Sequence, residues 1–152
     1  MNVIKRLITG SMTMAAIALL PAAHAAYPTS IQVIADVYNS GGQDMTMTSS
    51  NWLDDASELA DYAIAADQGG RRFDVILNPS NDSAQFSYAT GDGKVCKFTM
   101  SHETVFSWIG LKPAPQKKAT AQSVGSVAAQ CSASVTSGQE SLSSYSVKFS
   151  MQ

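Results

Sequence analysis

Two hydrophobic periodicities divide the chain. In residues 52–67 the apolar positions recur every three or four residues, a spacing that places them on one face of an α-helix. Asn51 and Asp54 have the spacing of a capping box, and Gly69-Gly70 supplies the glycine typical of a helix end. The pattern predicts a long helix over residues 52–67, with a core face made of Trp52, Ala56, Leu59, Ala60, Ala63 and Ile64.

Beyond this helix the apolar period changes to two, which is the period of a β-strand. Residues 73–77 alternate until Pro79 ends the segment. Residues 84–100 predict a hairpin that turns at Gly91-Asp92-Gly93, because glycine tolerates the backbone conformation of a tight turn. Two serine-rich strands, in residues 127–135 and 145–151, are predicted to follow and to be joined near Ser137-Gly138.

Two segments fit both a helix and a strand. Residues 31–38 are rich in β-branched side chains and alternate moderately well, but their apolar positions also fit a helix capped at Thr29. Residues 102–109 form either a short helix that ends at Gly110 or a strand. These alternatives stay open at the level of sequence.

Together these elements predict an α+β fold. One long helix (about 52–67), with room for a second short one, would pack on an antiparallel sheet of four to six strands. No repeated or parallel βαβ pattern is visible in the chain.

The N-terminus has the three parts of a secretory signal peptide. Lys5 and Arg6 give a positive start, an apolar stretch follows, and Ala23-His24-Ala25 forms a small-x-small cleavage pattern. Pro21 and scattered polar residues leave the apolar run too short to span a membrane. We expect residues 1–25 to be removed, which leaves residues 26–152 as a single domain without a membrane span.

Removal of Lys5 and Arg6 from the ten basic residues leaves eight against twelve acidic ones, a net charge of −4 for the mature chain. Binding of nucleic acid requires a basic surface that releases counterions from phosphates. Nucleic acid is therefore not an expected partner.

The mature chain contains two cysteines, Cys96 and Cys131. In an exported protein the oxidising surroundings favour their pairing, and they lack the CxxC spacing of a redox or metal pair. The sequence predicts one structural disulfide, which ties the second strand of the hairpin to a strand late in the chain.

Known chemical motifs are missing from the mature sequence. His102 is followed by Glu103, but Phe106 stands where a metalloprotease helix has its second histidine. No serine lies in a Gly-x-Ser-x-Gly elbow, and the acidic residues of 54–61 have the character of a solvated helix face. We assign no catalytic, cofactor-binding or metal-binding residue, and we interpret His102 as a surface residue on a turn.

One segment has the composition of an interface. Phe106 and Trp108 precede residues 112–118, a stretch rich in proline and lysine. This composition predicts a solvated connection. Aromatic side chains near a polar rim are typical of the centre of a binding surface. The candidate partner surface comprises Phe106, Trp108, Lys112, Lys117 and Lys118.

These observations favour a non-catalytic exported domain, periplasmic or extracellular, that binds another macromolecule as an inhibitor, immunity or accessory protein. The expected partner is a protein or another component of the cell envelope, and no cofactor is expected. One alternative is a small exported hydrolase that uses His102. Another is a subunit of a surface fibre, for which residues 26–38 would be the donor segment.

Overall fold

The computed structural model describes residues 30–66, 69–78, 82–106 and 113–152. The described residues form eight β-strands and one short 3₁₀ helix, Ala56–Tyr62. In chain order the strands are β1 (Ile31–Asn39), β2 (Met45–Ser50), β3 (Gly70–Leu77), β4 (Ser83–Thr90), β5 (Val95–Phe106), β6 (Pro113–Ser123), β7 (Cys131–Ser137) and β8 (Ser144–Met151).

The strands make two four-stranded sheets that face each other. One sheet has the order β3-β1-β8-β7 and the other the order β2-β4-β5-β6. All the pairings are antiparallel except that of β1 with β8, which is parallel. The N-terminal strand of the described chain therefore lies inside its sheet, between β3 and the C-terminal strand.

The core lies between the sheets and is made by alternate side chains of the strands. In β1 the side chains of Val33, Ala35 and Val37 are fully buried, and the intervening ones face outward. This alternation follows from the period of two in a strand, which turns successive side chains to opposite faces. The ring of Phe86 lies 5.3 Å from that of Phe98 and 5.2 Å from that of Phe149, so the core is aromatic where the sheets meet.

The predicted disulfide is confirmed. Cys96 in β5 and Cys131 in β7 are bonded, with their Cα atoms 5.8 Å apart. Because β5 and β7 belong to different sheets, the bond joins the two layers. Cys96, Phe98 and Met100 are all fully buried, which confirms that they share the inner face of β5.

The prediction of an α+β fold built on a long helix is wrong. Of the predicted helix the structure describes residues 52–66, and these contain only the 3₁₀ helix, which is capped by Asp55; Ala63 after it has extended backbone. The main chain of Ile64 bonds to Met45 in both directions, at 2.8 and 2.9 Å, and these bonds use the groups that an α-helix would need. Asn51, the predicted cap, instead bonds to Ser83 and Gln85 beside β4.

The helical spacing of apolar residues in that segment is explained by tertiary contacts. Trp52 stacks on Phe73 of β3, and its ring also meets Phe86 of β4 edge-on at 5.2 Å. Tyr62 contacts Phe73 as well. The segment therefore packs against rings from both sheets, which yields helical spacing of apolar residues without a helix.

The ambiguous segments are both strands where the structure describes them. Residues 31–38 belong to β1, and residues 102–106 belong to β5, while 107–110 lie outside the described residues. His102 is thus in a strand and not on a turn. The structure describes residues 113–118 of the predicted solvated connection, and they form the start of β6. β6 lies at the edge of its sheet, where prolines and lysines are compatible with a strand.

The predicted single antiparallel sheet of four to six strands is also wrong, since eight strands form two sheets and one pairing is parallel. The individual strands predicted from the period of two are present, although the one predicted from residue 127 begins at Cys131. The hairpin turns between β4 and β5, and Gly93 there has φ of 88°, the left-handed region that favours glycine. The two serine-rich strands are β7 and β8. No helix within the described residues is long and apolar enough to cross a membrane. The predicted signal peptide, residues 1–25, lies outside the described residues.

Candidate functional site

The outer face of the β3-β1-β8-β7 sheet carries a shallow groove beside Tyr38. The even-numbered side chains of β1 point to this face because its odd-numbered ones fill the core. The groove has a volume of about 380 Å³ and lies at the end of β1 and the start of β3. We call it the Tyr38 groove; its lining residues are Asp36, Tyr38, Gly69, Gly70, Arg71 and Arg72.

An ion pair forms one wall of the Tyr38 groove. Asp36 in β1 and Arg72 in β3 are directly opposite each other in the antiparallel register. The Nε of Arg72 donates to Asp36 Oδ1 at 2.7 Å, and its Nη2 donates to Oδ2 at 2.9 Å. These bonds raise the pKa of the Arg72 guanidinium. The bidentate geometry fixes the plane of the guanidinium.

Tyr38 is held on the sheet by two neighbours of different kinds. The Nζ of Lys148, from β8, lies 4.7 Å from the centre of its ring, within the range of a cation–π contact. Gly70 lies opposite Tyr38 in the register, and a Cβ at Gly70 would come within 2.8 Å of the Val37 carbonyl oxygen and 3.0 Å of the Tyr38 ring. Glycine at position 70 therefore lets the Tyr38 ring lie close against β3, and Tyr38 remains 39% exposed.

The groove carries charges of both signs. Arg72 of β3 and Lys148 of β8 lie on either side of Asp36 in the register, and Asp74, the next even position of β3, also faces outward and accepts from Gln32. Arg71 takes the opposite face: it lies over the ring of Tyr62, 5.6 Å from its centre, and its Nη1 donates to the Ala63 carbonyl oxygen at 3.5 Å. Lys148 can thus accept an acidic group from a partner while the Asp36–Arg72 pair keeps the shape of the groove.

A second cluster lies inside the sandwich, near one end of β5. His102 and Lys117 are cross-strand partners in the β5–β6 pair. The Nζ of Lys117 donates to the carbonyl oxygens of Gly138, Ser141 and Ser144 in the β7–β8 connection. Lys117 also lies over the Tyr145 ring, 5.2 Å from its centre. The cluster ties the β7–β8 connection to the opposite sheet.

Burial affects both titrating groups of this cluster. Desolvation lowers the pKa of Lys117. Desolvation, followed by the positive charge of Lys117, lowers the pKa of His102, and the carboxylate of Asp82 acts in the opposite direction. The Nε2 of His102 is buried without a hydrogen-bond partner. Within the described residues, no carboxylate makes the hydrogen bond to His102 that a catalytic base would need for orientation.

The candidate partner surface drawn from the sequence does not assemble as expected. Lys117 is 4% exposed and points inward, so its ammonium is unavailable to a partner, whereas Lys118 is exposed. Phe106 ends β5, with no further description of its side chain. Trp108 and Lys112 lie outside the described residues.

The residues of the Tyr38 groove were missed by the sequence analysis, although a signal for them was present. In the segment 31–39 the even positions include Asp36 and Tyr38, which would stand out as outward-facing once the segment is taken as a strand. Their pairing with Arg72 and Lys148 depends on which strands are neighbours, and sequence periodicity carries no information about that.

The acidic residues of 54–61 are exposed, and one of them has a local role. The Asp55 carboxylate accepts the Ser57 backbone N–H at 2.8 Å, which caps the 3₁₀ helix and lowers the pKa of Asp55. In the parts of the chain that the structure describes, no three His, Cys, Asp or Glu side chains are grouped to hold a metal ion.

Comparison of the chain with protein-family models, with curated proteins and with solved structures found no match.

Proposed function

We propose that this chain is a non-catalytic, exported interaction domain of the inhibitor, immunity or accessory type, and that it binds another protein through the Tyr38 groove. The observation that carries the proposal is the bidentate Asp36–Arg72 pair beside the half-exposed Tyr38. Tyrosine and arginine are the residues most enriched at the energetic centres of protein interfaces. A surface that is already ordered before binding loses less conformational entropy on association.

The charge of the groove indicates the chemistry of the partner. Beside Tyr38 the Arg72 guanidinium is already paired with Asp36, whereas the Lys148 ammonium contacts the Tyr38 ring and has no ion pair among the described residues. Complementary charge accelerates association and orients the partner. We expect a partner that presents an Asp or Glu side chain to Lys148 and a flat surface to Tyr38.

The disulfide supports an exported location. Disulfides form and persist in oxidising compartments, and the Cys96–Cys131 bond joins the two layers of this fold. Export to the periplasm or the extracellular medium, directed by residues 1–25, is part of the proposal.

The test is retention of a partner by immobilised mature protein, residues 26–152, from envelope and medium fractions of the native host. We expect one protein to be retained by the wild type and lost with Tyr38→Ala and Arg72→Ala. The matched control is Thr99→Ala, since Thr99 lies in β5 of the opposite sheet. Retention that is equal for all four proteins, or absent from all four, contradicts the proposal.

The two other functions drawn from the sequence stay predictions. A hydrolase would use His102, and a fibre subunit would donate residues 26–38. In the described chain His102 faces Lys117, and residues 31–39 occupy a central place in their own sheet. Neither observation favours those functions over binding at the groove.

A further inference from the structure

The four edge strands of the two sheets differ in how they are protected against pairing with another chain. The unpaired N–H and C=O groups of an edge strand form a template for strand addition, and natural proteins block them with bulges, prolines or inward-pointing charges. β2 has a register shift between Met47 and Ser49, and β7 has one between Val135 and Ser137. β6 begins at a proline and carries the inward-pointing Lys117.

β3 has neither a bulge nor a proline, and its one inward-facing charge, Arg71, lies near the start of the strand, over the Tyr62 ring. It pairs with β1 over eight consecutive residues without a register shift, and its sequence, GRRFDVIL, contains neither proline nor lysine. The Asn39 N–H donates to the Gly69 carbonyl oxygen, which places the odd-numbered positions of β3 in the hydrogen-bonded pairs with β1. The N–H and C=O groups of its even positions therefore point to the open side of the sheet, at Gly70, Arg72, Asp74 and Ile76.

The same strand carries an exposed apolar side chain. Ile76 is 55% exposed, the largest value among the large hydrophobic residues that the structure describes as exposed. On β1 its register partner is Gln32. An exposed aliphatic side chain on an edge strand without a bulge or a proline is a feature that natural proteins normally avoid.

We propose that β3 is a self-association edge, at which two copies of this chain pair β3 with β3 in antiparallel orientation about a two-fold axis. The two β3-β1-β8-β7 sheets then become one continuous eight-stranded sheet. A two-fold interface requires the same surface of each copy to complement itself, and the sequence of β3 does so in one register.

That register places Phe73 on the two-fold axis. Arg72 of one copy is then opposite Asp74 of the other, and the symmetry gives this pair twice. Opposite charges directly across two strands stabilise a sheet, and like charges destabilise it. Moving the two-fold axis from Phe73 to the next residue puts Asp74 opposite Asp74, and moving it to the preceding residue puts Arg72 opposite Arg72. The charges therefore favour the alignment centred on Phe73 over both of its neighbours.

Ile76 also has a complementary contact in this register. Ile76 of one copy is opposite Gly70 of the other, and Gly70 lies beside Tyr38 within its own sheet. The Tyr38 ring of the second copy, which lies against Gly70, would therefore contact and cover Ile76. The edge-facing N–H and C=O groups of Arg72 and Asp74 fall in hydrogen-bonded pairs in the same alignment.

Sedimentation velocity of the oxidised mature chain, from micromolar to millimolar concentration, tests the pairing. We expect the weight-average mass to rise from monomer to dimer and to go no further, because a two-fold interface is closed. A wild type that remains monomeric over this range overturns the proposal, and so does one whose mass continues to rise beyond the dimer.

Two variants distinguish β3 from other surfaces. Ile76→Lys places a charge opposite Gly70, and Asp74→Arg places two arginines opposite each other, so each should raise the dimer dissociation constant by roughly tenfold or more. The matched control is Val124→Lys, since Val124 is 48% exposed and lies outside β3. Equal dimerisation of all three variants contradicts the assignment.

A cross-linking experiment tests the register itself. When Arg72→Cys and Asp74→Cys proteins are mixed under mild oxidation, a mixed disulfide dimer should dominate, because only those two positions are opposite each other. A dominant Asp74→Cys homodimer would show another register and overturn this one. The dimer would use Tyr38 and Arg72, which the proposed binding function also uses, but the two failures are distinguishable. A monomeric chain that still retains a partner refutes only the self-association, and a dimer that retains no partner refutes only the binding function.

Discussion

Lys117 lies directly opposite His102 across the β5–β6 pair, and the ammonium of Lys117 reaches the carbonyl oxygens of the β7–β8 connection. A lysine that the sequence placed on a partner surface is thus part of the interior. Its buried ammonium satisfies its own hydrogen-bonding need on these main-chain acceptors, as buried polar groups require, and thereby holds the connection against the opposite sheet.

Replacement of this lysine should destabilise the fold. Lys117→Met keeps most of the aliphatic chain and removes the ammonium, so the Ser141 and Ser144 carbonyl oxygens lose the lysine donor, while the Gly138 carbonyl keeps only the Ser141 N–H. We expect a loss of about 1–3 kcal/mol in the free energy of unfolding, measured by urea denaturation. The matched control is Lys118→Met, at an exposed neighbour, with an expected change within about 0.5 kcal/mol. Equal effects of the two substitutions would argue against this role.

Stability should fall as the pH falls through the ordinary titration range of histidine. Burial and the charge of Lys117 lower the folded-state pKa of His102 below its usual value of 6.5, against the opposing effect of Asp82. As the pH falls below 6.5, the unfolded chain binds a proton at this position more readily than the folded chain does. The free energy of unfolding therefore decreases with falling pH, and this decrease ends once the pH is below the folded-state pKa of His102. Urea denaturation at several values between about pH 5 and pH 7.5 measures this slope.

The variant His102→Gln isolates the contribution of that imidazole. It should show a shallower loss of stability over the same pH interval, because the side chain that takes up the proton is gone. A slope identical to that of the wild type would assign the dependence to other groups.

Loss of the disulfide should cost a large share of the stability. The bond closes a loop with a sequence separation of 35 residues and connects the two sheets. The double substitution Cys96→Ala and Cys131→Ala should lower the free energy of unfolding by about 2–4 kcal/mol, measured by chemical denaturation. The oxidised and reduced wild type provide the comparison. A loss under about 1 kcal/mol would mean that the layers hold together without the bond.

Gly125 occupies a position that admits no side chain. A Cβ there would lie 2.4 Å from the Gly93 carbonyl oxygen and 2.5 Å from the Val95 nitrogen, both main-chain atoms of the β4–β5 turn region. We expect Gly125→Ala to destabilise the fold by about 1–3 kcal/mol, because the backbone must move to relieve the overlap. Gly42→Ala is the control, since a Cβ at Gly42 meets nothing within 4 Å. Equal melting temperatures for the two variants would contradict this expectation.

The sequence by itself determined the features that depend on neighbours along the chain. The alternation at residues 84–100, with glycines at the turn, predicted the hairpin and the inner face of β5, because side-chain direction in a strand has a period of two. The pairing of Cys96 with Cys131 also followed from the sequence, since only two cysteines were present in the predicted mature chain.

Only the tertiary structure decided which backbone groups bond to which. Residues 52–67 have helical spacing, yet Met45 and Gln85 take the hydrogen bonds of Ile64 and Asn51, so tertiary pairing outweighs local preference. In the same way Asp36 and Arg72 meet because β1 and β3 are neighbours, although 36 residues separate them. Periodicity records which face a side chain takes within its own strand, whereas strand order depends on the free energy of the whole packed fold, and no local pattern encodes it.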